Sequence, residues 1–195
     1  MTYTTIAQGD SKFYKYLKAT HKKFCNGSLK FLDQPPYLSD QVAPKSAEYI
    51  LHVNADSIFT DNFDIEVMME DGKIVMPYTE YETLFADQSI PPTMIPVIEE
   101  SRQKTEEALD QPLSAEFARR MPLLYPISMY QEFRDYMESN HGTYKINNPS
   151  YFNLLGAYCY IHKHDDFIWV NTEETILKEL PFIQSVADKD IVIIL

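Results

Sequence analysis

At 195 residues, with 45% hydrophobic and 13% aromatic residues, the chain has the size and composition of one packed domain and is short for two. No apolar run approaches the ~20 residues of a membrane span, so a transmembrane segment is not expected. A net charge of -12 repels nucleic acid and anionic membrane from the molecule as a whole, and any anionic substrate must meet a local cationic device.

At the amino end, Met1–Thr5 is polar and lacks a basic segment followed by an apolar one, so no secretory signal is expected. The two cysteines, Cys25 and Cys159, are far apart and without metal-type spacing. They imply neither a disulfide framework nor a zinc site, and they fit a reducing, cytoplasmic location. There Asn26-Gly27-Ser28, though spelled as a glycosylation acceptor, is expected to stay unmodified.

Thr4–Ala7 reads as a short strand that meets the turn Gln8-Gly9-Asp10-Ser11 and leads into a helix with Phe13, Leu17 and Phe24 as apolar positions. Lys12, Lys15, Lys18, Lys22 and Lys23 belong to that helix, either as the local cationic device or as a solvated face. Leu29–Leu32 reads as a second strand, ended by Asp33-Gln34-Pro35-Pro36 because prolines cannot continue a ladder. A short helix over 42–47 then feeds a strand over Tyr49–Val53. This β-α-β-α-β order predicts an α/β fold with a central, mainly parallel mixed sheet flanked by helices.

The third strand runs straight into Asn54-Ala55-Asp56. Ligands of open α/β sheets collect at the carboxyl ends of strands, and a carboxylate just past such an end can hold a hard divalent cation against a diphosphate. Asp56 is therefore a candidate metal-site residue; the competing reading is an ordinary turn residue.

Farther along, Ile65–Glu70 and Lys73–Pro77 flank Asp71-Gly72, a hairpin signal that predicts an antiparallel addition to the sheet. Residues 91–118 read as helical and polar, a surface helix or lid. The apolar, proline-broken segment 121–127 leads to a helix with Tyr130, Phe133, Tyr136 and Met137 along one side, a core stripe whose type of side chain also stacks on sugar rings. Asn148–Gly156 is a turn followed by an apolar segment placed behind the site.

Tyr158–Val170 reads as extended, and alternation then puts His162, His164 and Asp166 on one side. Imidazole joins carboxylate around Mn-type ions, so His162 and His164 are candidate ligands beside Asp56; the other reading is an exposed polar strand end. Asn171–Glu174 resembles a capping box opening a helix, and Asp190–Leu195 reads as a final strand whose abrupt end fits a chain cut from a longer one. With only 5 glycines there is no Gly-rich phosphate loop, so phosphate binding would rest on metal and side chains.

With the β-turn-α opening, the strand ending Asn54-Ala55-Asp56, then Asn153-Leu154-Leu155-Gly156 and His162-x-His164 in that order, the chain resembles a small GT-A-type, DxD-motif glycosyltransferase. That family's metal motif reads Asp-x-Asp followed by a hydroxyl or small residue, an apolar residue and Phe, here Asp56-Ser57-Ile58-Phe59. The resemblance spans most of the chain, and its nearest group is the transferase domains that build chlorella-virus capsid glycans. It implies a single domain over 1–195, with a nucleotide-binding half of about 1–60 and an acceptor-binding, metal-completing half of about 61–195. It also implies a UDP-sugar donor of hexose or deoxyhexose, a glycan or glycoprotein acceptor, and Mn²⁺ or Mg²⁺. Carried over by position, Thr5, Gln8 and Asp10 contact the nucleoside, Asn54 and Ala55 the ribose or phosphate, and Asp56 the metal.

Two departures from the family pattern stand out. Asn54 replaces the first aspartate of the motif, and Tyr151 stands where related sequences carry an acid before the Leu-Gly turn. The base is then unassigned, with Asp166, Glu80 and Glu82 as candidates. A phosphohydrolase with an aspartate nucleophile is disfavoured, because the Asn54 amide cannot attack phosphorus and the motif sits far from the start of the chain for that class. A degenerate nucleotide-sugar-binding or interaction domain is the remaining alternative: Asn54 and Tyr151 favour it, while the Gln8–Asp10 turn and the His162, His164 and Asp166 face oppose it.

Overall fold

Tyr3–Gln8 is buried at every position but its last, the pattern of a strand covered on both faces, and it forms β1 at the heart of the main sheet. The computed structural model describes residues 1–118, 121–145 and 147–172 and the backbone of 183–185. A 3-10 turn (Ser11–Phe13) leads into α1 (Tyr14–Phe24) and then β2 (Ser28–Phe31). A second 3-10 turn (Pro36–Gln41) precedes β3 (Tyr49–Asn54), which is followed by β4 (Ser57–Phe59) and a third 3-10 turn (Ile65–Met68). Then come β5 (Met69–Glu70), β6 (Lys73–Glu80), α2 (Tyr81–Ala86), α3 (Ile95–Leu109), β7 (Ala115–Glu116) and β8 (Leu123–Pro126). α4 (Ser128–His141), α5 (Tyr151–His162), a 3-10 turn (His164–Asp166), β9 (Phe167–Asn171) and β10 (Ile183–Ser185) complete the described elements.

The main sheet has the order β2-β1-β3-β8, with β1 parallel to both neighbours and β8 antiparallel to β3. One face packs on α1: Leu17 is fully buried, the buried His21 ring meets Thr5 with Nε2 and Oγ1 2.9 Å apart, and the Thr20 hydroxyl accepts the Phe59 N–H. The other face packs on α4 and α5, where His52 bonds the Tyr130 hydroxyl at 2.8 Å and meets the Phe152 ring edge-on at 4.9 Å. The expected mixed α/β sheet flanked by helices is the architecture observed.

Several local expectations are corrected. The helix expected over 42–47 is instead the 3-10 turn Pro36–Gln41, started by a proline whose fixed φ suits a first helical position. The hairpin strand at Asp71-Gly72 joins a second sheet: β6 takes β5 and β7 as antiparallel neighbours and β9 as a parallel one. α3 is more than a lid, because Ile98, Ser101, Thr105, Ala108 and Leu109 are buried. Its polar residues join a network in which the Asn153 amide accepts the Phe117 N–H and donates to the Tyr81 hydroxyl, while Asn148 bridges Ser101 and Thr105.

The largest correction concerns Tyr158–Val170, which is extended only from Phe167, where β9 begins, and not over the stretch that carries His162, His164 and Asp166. Its first part is the end of α5, and Gly156 allows that helix to press against Phe117, where any Cβ would collide. The capping box running to Glu174 and the strand over Asp190–Leu195 lie, from residue 173 onward, outside the described residues.

Candidate functional site

In the order β2-β1-β3, the chain leaves β1 toward one side and returns on the other, so the carboxyl ends of β1 and β3 form a topological switch point. A crevice opens at such a point because the loops from the two strands diverge to opposite faces. Gln8 and Asn54, the last residues of the two strands, are in register there, and the Ala55 N–H donates to the Gln8 carbonyl at 2.8 Å. Gly9 follows with φ +127°, a conformation open to glycine and strained for other residues, and an added Cβ would sit 3.3 Å from that of Ala55. The two loop starts are thus pinned against each other, leaving Asn54 exposed and Asp56 half-buried at the rim.

The rest of the rim is polar and aromatic. The Gln8 side-chain amide donates to the Gln34 carbonyl at 2.7 Å, which ties the loop after β2 to the mouth. Tyr14 donates its hydroxyl to the Gly9 carbonyl at 3.3 Å and stacks on Phe31 at 3.8 Å. The Asp10 carboxylate accepts the Lys12 N–H and pairs with the Lys12 ammonium at 2.9 Å, bonds that hold its pKa below the usual carboxylate value. Away from the mouth, Tyr151 and Tyr144 pack edge-on against Tyr37, a buried core residue. The register His52↔Leu123 brings Met121-Pro122, which leads into β8, to the same end of β3.

Of the residues expected from sequence, Gln8, Asp10, Asn54, Ala55 and Asp56 gather at this mouth. Thr5 does not: it lies inside β1, fully buried, with its hydroxyl committed to His21, so its side chain is held away from a nucleoside at the rim. His162, His164 and Asp166 do not share an extended face either. His162 ends α5 against the Tyr136 and Tyr158 rings, and His164 and Asp166 lie in the following 3-10 turn. α5 touches β3 through Phe152, near its opposite end, and ten residues of helix span ~15 Å. Among the described residues no three His, Cys, Asp or Glu side chains gather as metal ligands.

Besides Asp10, whose carboxylate is paired with Lys12, the mouth holds the Asp56 carboxylate and the exposed Asn54 amide as oxygen groups for a cation. Mg²⁺-type ions commonly bind through one or two carboxylates, substrate phosphates and retained water. The residues therefore fit an ion that arrives with a diphosphate, and they do not form a preassembled cage.

Sequence reasoning missed the Gln34 carbonyl, set by loop packing that carries no periodic signal. It also missed Glu116, a carboxylate buried in β7 among Tyr81 and its neighbours. A cleft of about 390 Å³, lined by Thr2, Thr4, Asn26, Ser28, Ser46 and Asp64 among others, opens at the opposite, amino end of β1 and β2. It is remote from Asp56, which lies beyond the carboxyl end of β3.

No protein-family model matches the chain, and no curated protein matches it. Among solved structures it is similar to the crystal structure of a glycosyltransferase involved in the glycosylation of the major capsid of PBCV-1. The two share 10% sequence identity at a TM-score of 0.42, over 88% of this chain and 81% of the other. At that identity no residue role passes from one chain to the other.

Proposed function

We propose that the chain is a metal-dependent glycosyltransferase that takes a UDP-sugar at the crevice between β1 and β3 and moves its sugar to a glycan acceptor. The observation that carries this reading is the registered pair Gln8 and Asn54 at the switch point, with Asp56 two residues beyond. In this reading Gln8 and the Gln34 carbonyl orient the nucleoside, and the Asn54 amide meets a ribose hydroxyl or phosphate oxygen. Asp56, with Asn54 beside it, would hold Mn²⁺ or Mg²⁺ against the diphosphate. When bound, the ion would neutralise the leaving diphosphate as the anomeric bond breaks.

Calorimetric titration of UDP, with Mn²⁺ and again with EDTA, tests it. Binding that requires the metal is the expected result, and binding absent from both titrations would end the reading. A second reading, nucleotide binding without turnover, is favoured by Tyr151: the position expected to carry an acid holds a ring packed on Tyr37. Metal-dependent UDP binding combined with no hydrolysis of any UDP-hexose would select that reading.

A further inference from the structure

Charge is unevenly distributed along this acidic chain. Residues 11–32 contain six lysines and no aspartate, glutamate or arginine, so the rest of the chain carries all 29 acidic residues against 11 basic ones. Folding keeps this segregation: Lys12, Lys15, Lys18, Lys22, Lys23 and Lys30 are all exposed, five of them on or beside α1. Lys15, Lys18 and Lys22 are spaced three and four apart, so they line one side of the helix over ~10 Å. Leu17, Thr20 and His21 take the opposite side into the sheet. Lys12 is paired with Asp10, but among the described residues no carboxylate lies in salt-bridge range of Lys15, Lys18, Lys22, Lys23 or Lys30. Lys15 and Lys23 instead place their ammonium groups 4.6 and 4.9 Å from the half-exposed rings of Tyr16 and Phe24.

We infer that the exposed face of α1 docks on an anionic lipid bilayer surface. The chemistry favours a headgroup layer over a nucleic acid. Bidentate recognition of a discrete phosphate is the speciality of arginine's planar fork, and this segment has no arginine. Lysines act as point charges on flexible stems, suited to a diffuse layer of anionic headgroups, and clusters of four to eight on an amphipathic helix are the pattern such layers attract. Tyr16, half-exposed beside the lysines, is the kind of amphipathic ring that settles at the level of the headgroups, whereas Phe24 packs on the core. The acidic bulk of the molecule does not cancel the attraction, because a planar surface meets one face and charges beyond ~8 Å are screened at physiological salt.

The test is co-sedimentation of the whole chain with vesicles of phosphatidylcholine alone and of phosphatidylcholine with 30 mol% phosphatidylserine, a probe composition of roughly the anionic content of a cytoplasmic leaflet. Binding to the anionic vesicles alone, released by 0.5 M NaCl, is expected, the salt shortening the screening length to ~4–5 Å. Each lysine is worth about fivefold in partitioning, so Lys15→Gln, Lys18→Gln and Lys22→Gln together should lower it roughly 100-fold, while the arginine triple variant keeps it. These positions are exposed, and circular dichroism of the glutamine variant checks that the fold is kept. No binding to the anionic vesicles at 50 mM salt, or unchanged binding by the glutamine variant, would overturn the inference. So would retention on double-stranded DNA at a salt concentration where the vesicles are ignored.

Discussion

The mouth between β1 and β3 and the layer formed by α3, α4 and α5 both hold polar side chains, but they use them in opposite ways. At the mouth, backbone bonds fix the geometry: Ala55 bonds Gln8, and Gly9 takes a turn that glycine enters without strain, so Asn54 is exposed and Asp56 half-buried at the rim. In the helical layer, side chains fix the geometry. Arg134 binds both oxygens of Asp40 at 2.7 Å and the Tyr37 carbonyl at 2.7 Å, and Asn153 serves Phe117 and Tyr81. A polar residue whose bonds are satisfied in the interior is stability, whereas one placed at the rim by its backbone can be reached by a ligand. Substitutions should therefore separate the two regions cleanly, the helical layer losing stability and the mouth losing ligand.

The strongest break from a single substitution is expected at Arg134→Ala, which strands the partly buried Asp40 carboxylate and unties Pro36–Gln41 from α4. A loss of about 3 kcal/mol in urea unfolding is expected. A loss below ~0.5 kcal/mol would mean the helical layer tolerates polar removal as a surface does.

Acid should act on the same layer and on the α1 face. Burial depresses His52 to about 3 and His21 to about 4 from the ordinary 6.5. Both stay neutral in the folded chain, while the unfolded chain takes up protons below about 6.5. Their contribution is thus complete above pH 6.5 and is lost as pH falls toward 4, at about 1.4 kcal/mol per unit for each histidine. Unfolding at pH 7 and pH 5 should differ by about 4 kcal/mol from these two residues, and the His52→Phe variant should show a flatter pH slope. An unchanged slope in that variant would remove His52 from the account.

A somewhat smaller loss, about 2 kcal/mol, is expected for Asn153→Ala, which leaves the Phe117 N–H and the Tyr81 hydroxyl without their partner. UDP binding per folded molecule should not change. A variant that stays fully stable but loses UDP binding would move Asn153 from the scaffold to the site.

The same contrast explains what the sequence made legible. β1, β2 and β3 were readable because each is a short run bounded by Gly, Pro or Asn, and the switch point follows from their order. His162 and His164 were misplaced because alternate spacing in an apolar stretch fits a strand, and only Gly156 pressing on Phe117 reveals a helix packed too closely for anything else. Thr5 was misplaced for a related reason. Its position in β1 was right, but the face it points to is set by His21 sixteen residues away. Contacts of that range leave no periodic trace.

The smallest effect on stability, and the largest on ligand, belongs to Asp56→Ala. Asp56 lies at the rim beyond β3 and is half-buried, so removing its carboxylate should change unfolding free energy by less than ~1 kcal/mol. It should nevertheless abolish the metal-dependent part of UDP binding, because Asn54 alone offers a cation one uncharged oxygen. Asn54→Asp works in the other direction. It adds a second carboxylate at the exposed end of β3, and metal-dependent UDP affinity should rise by about tenfold if the added charge contributes an ordinary 1.4 kcal/mol. The two variants share one crevice and demand opposite changes from one titration. Matching changes of the same sign would show that the rim carboxylates do not meet the diphosphate.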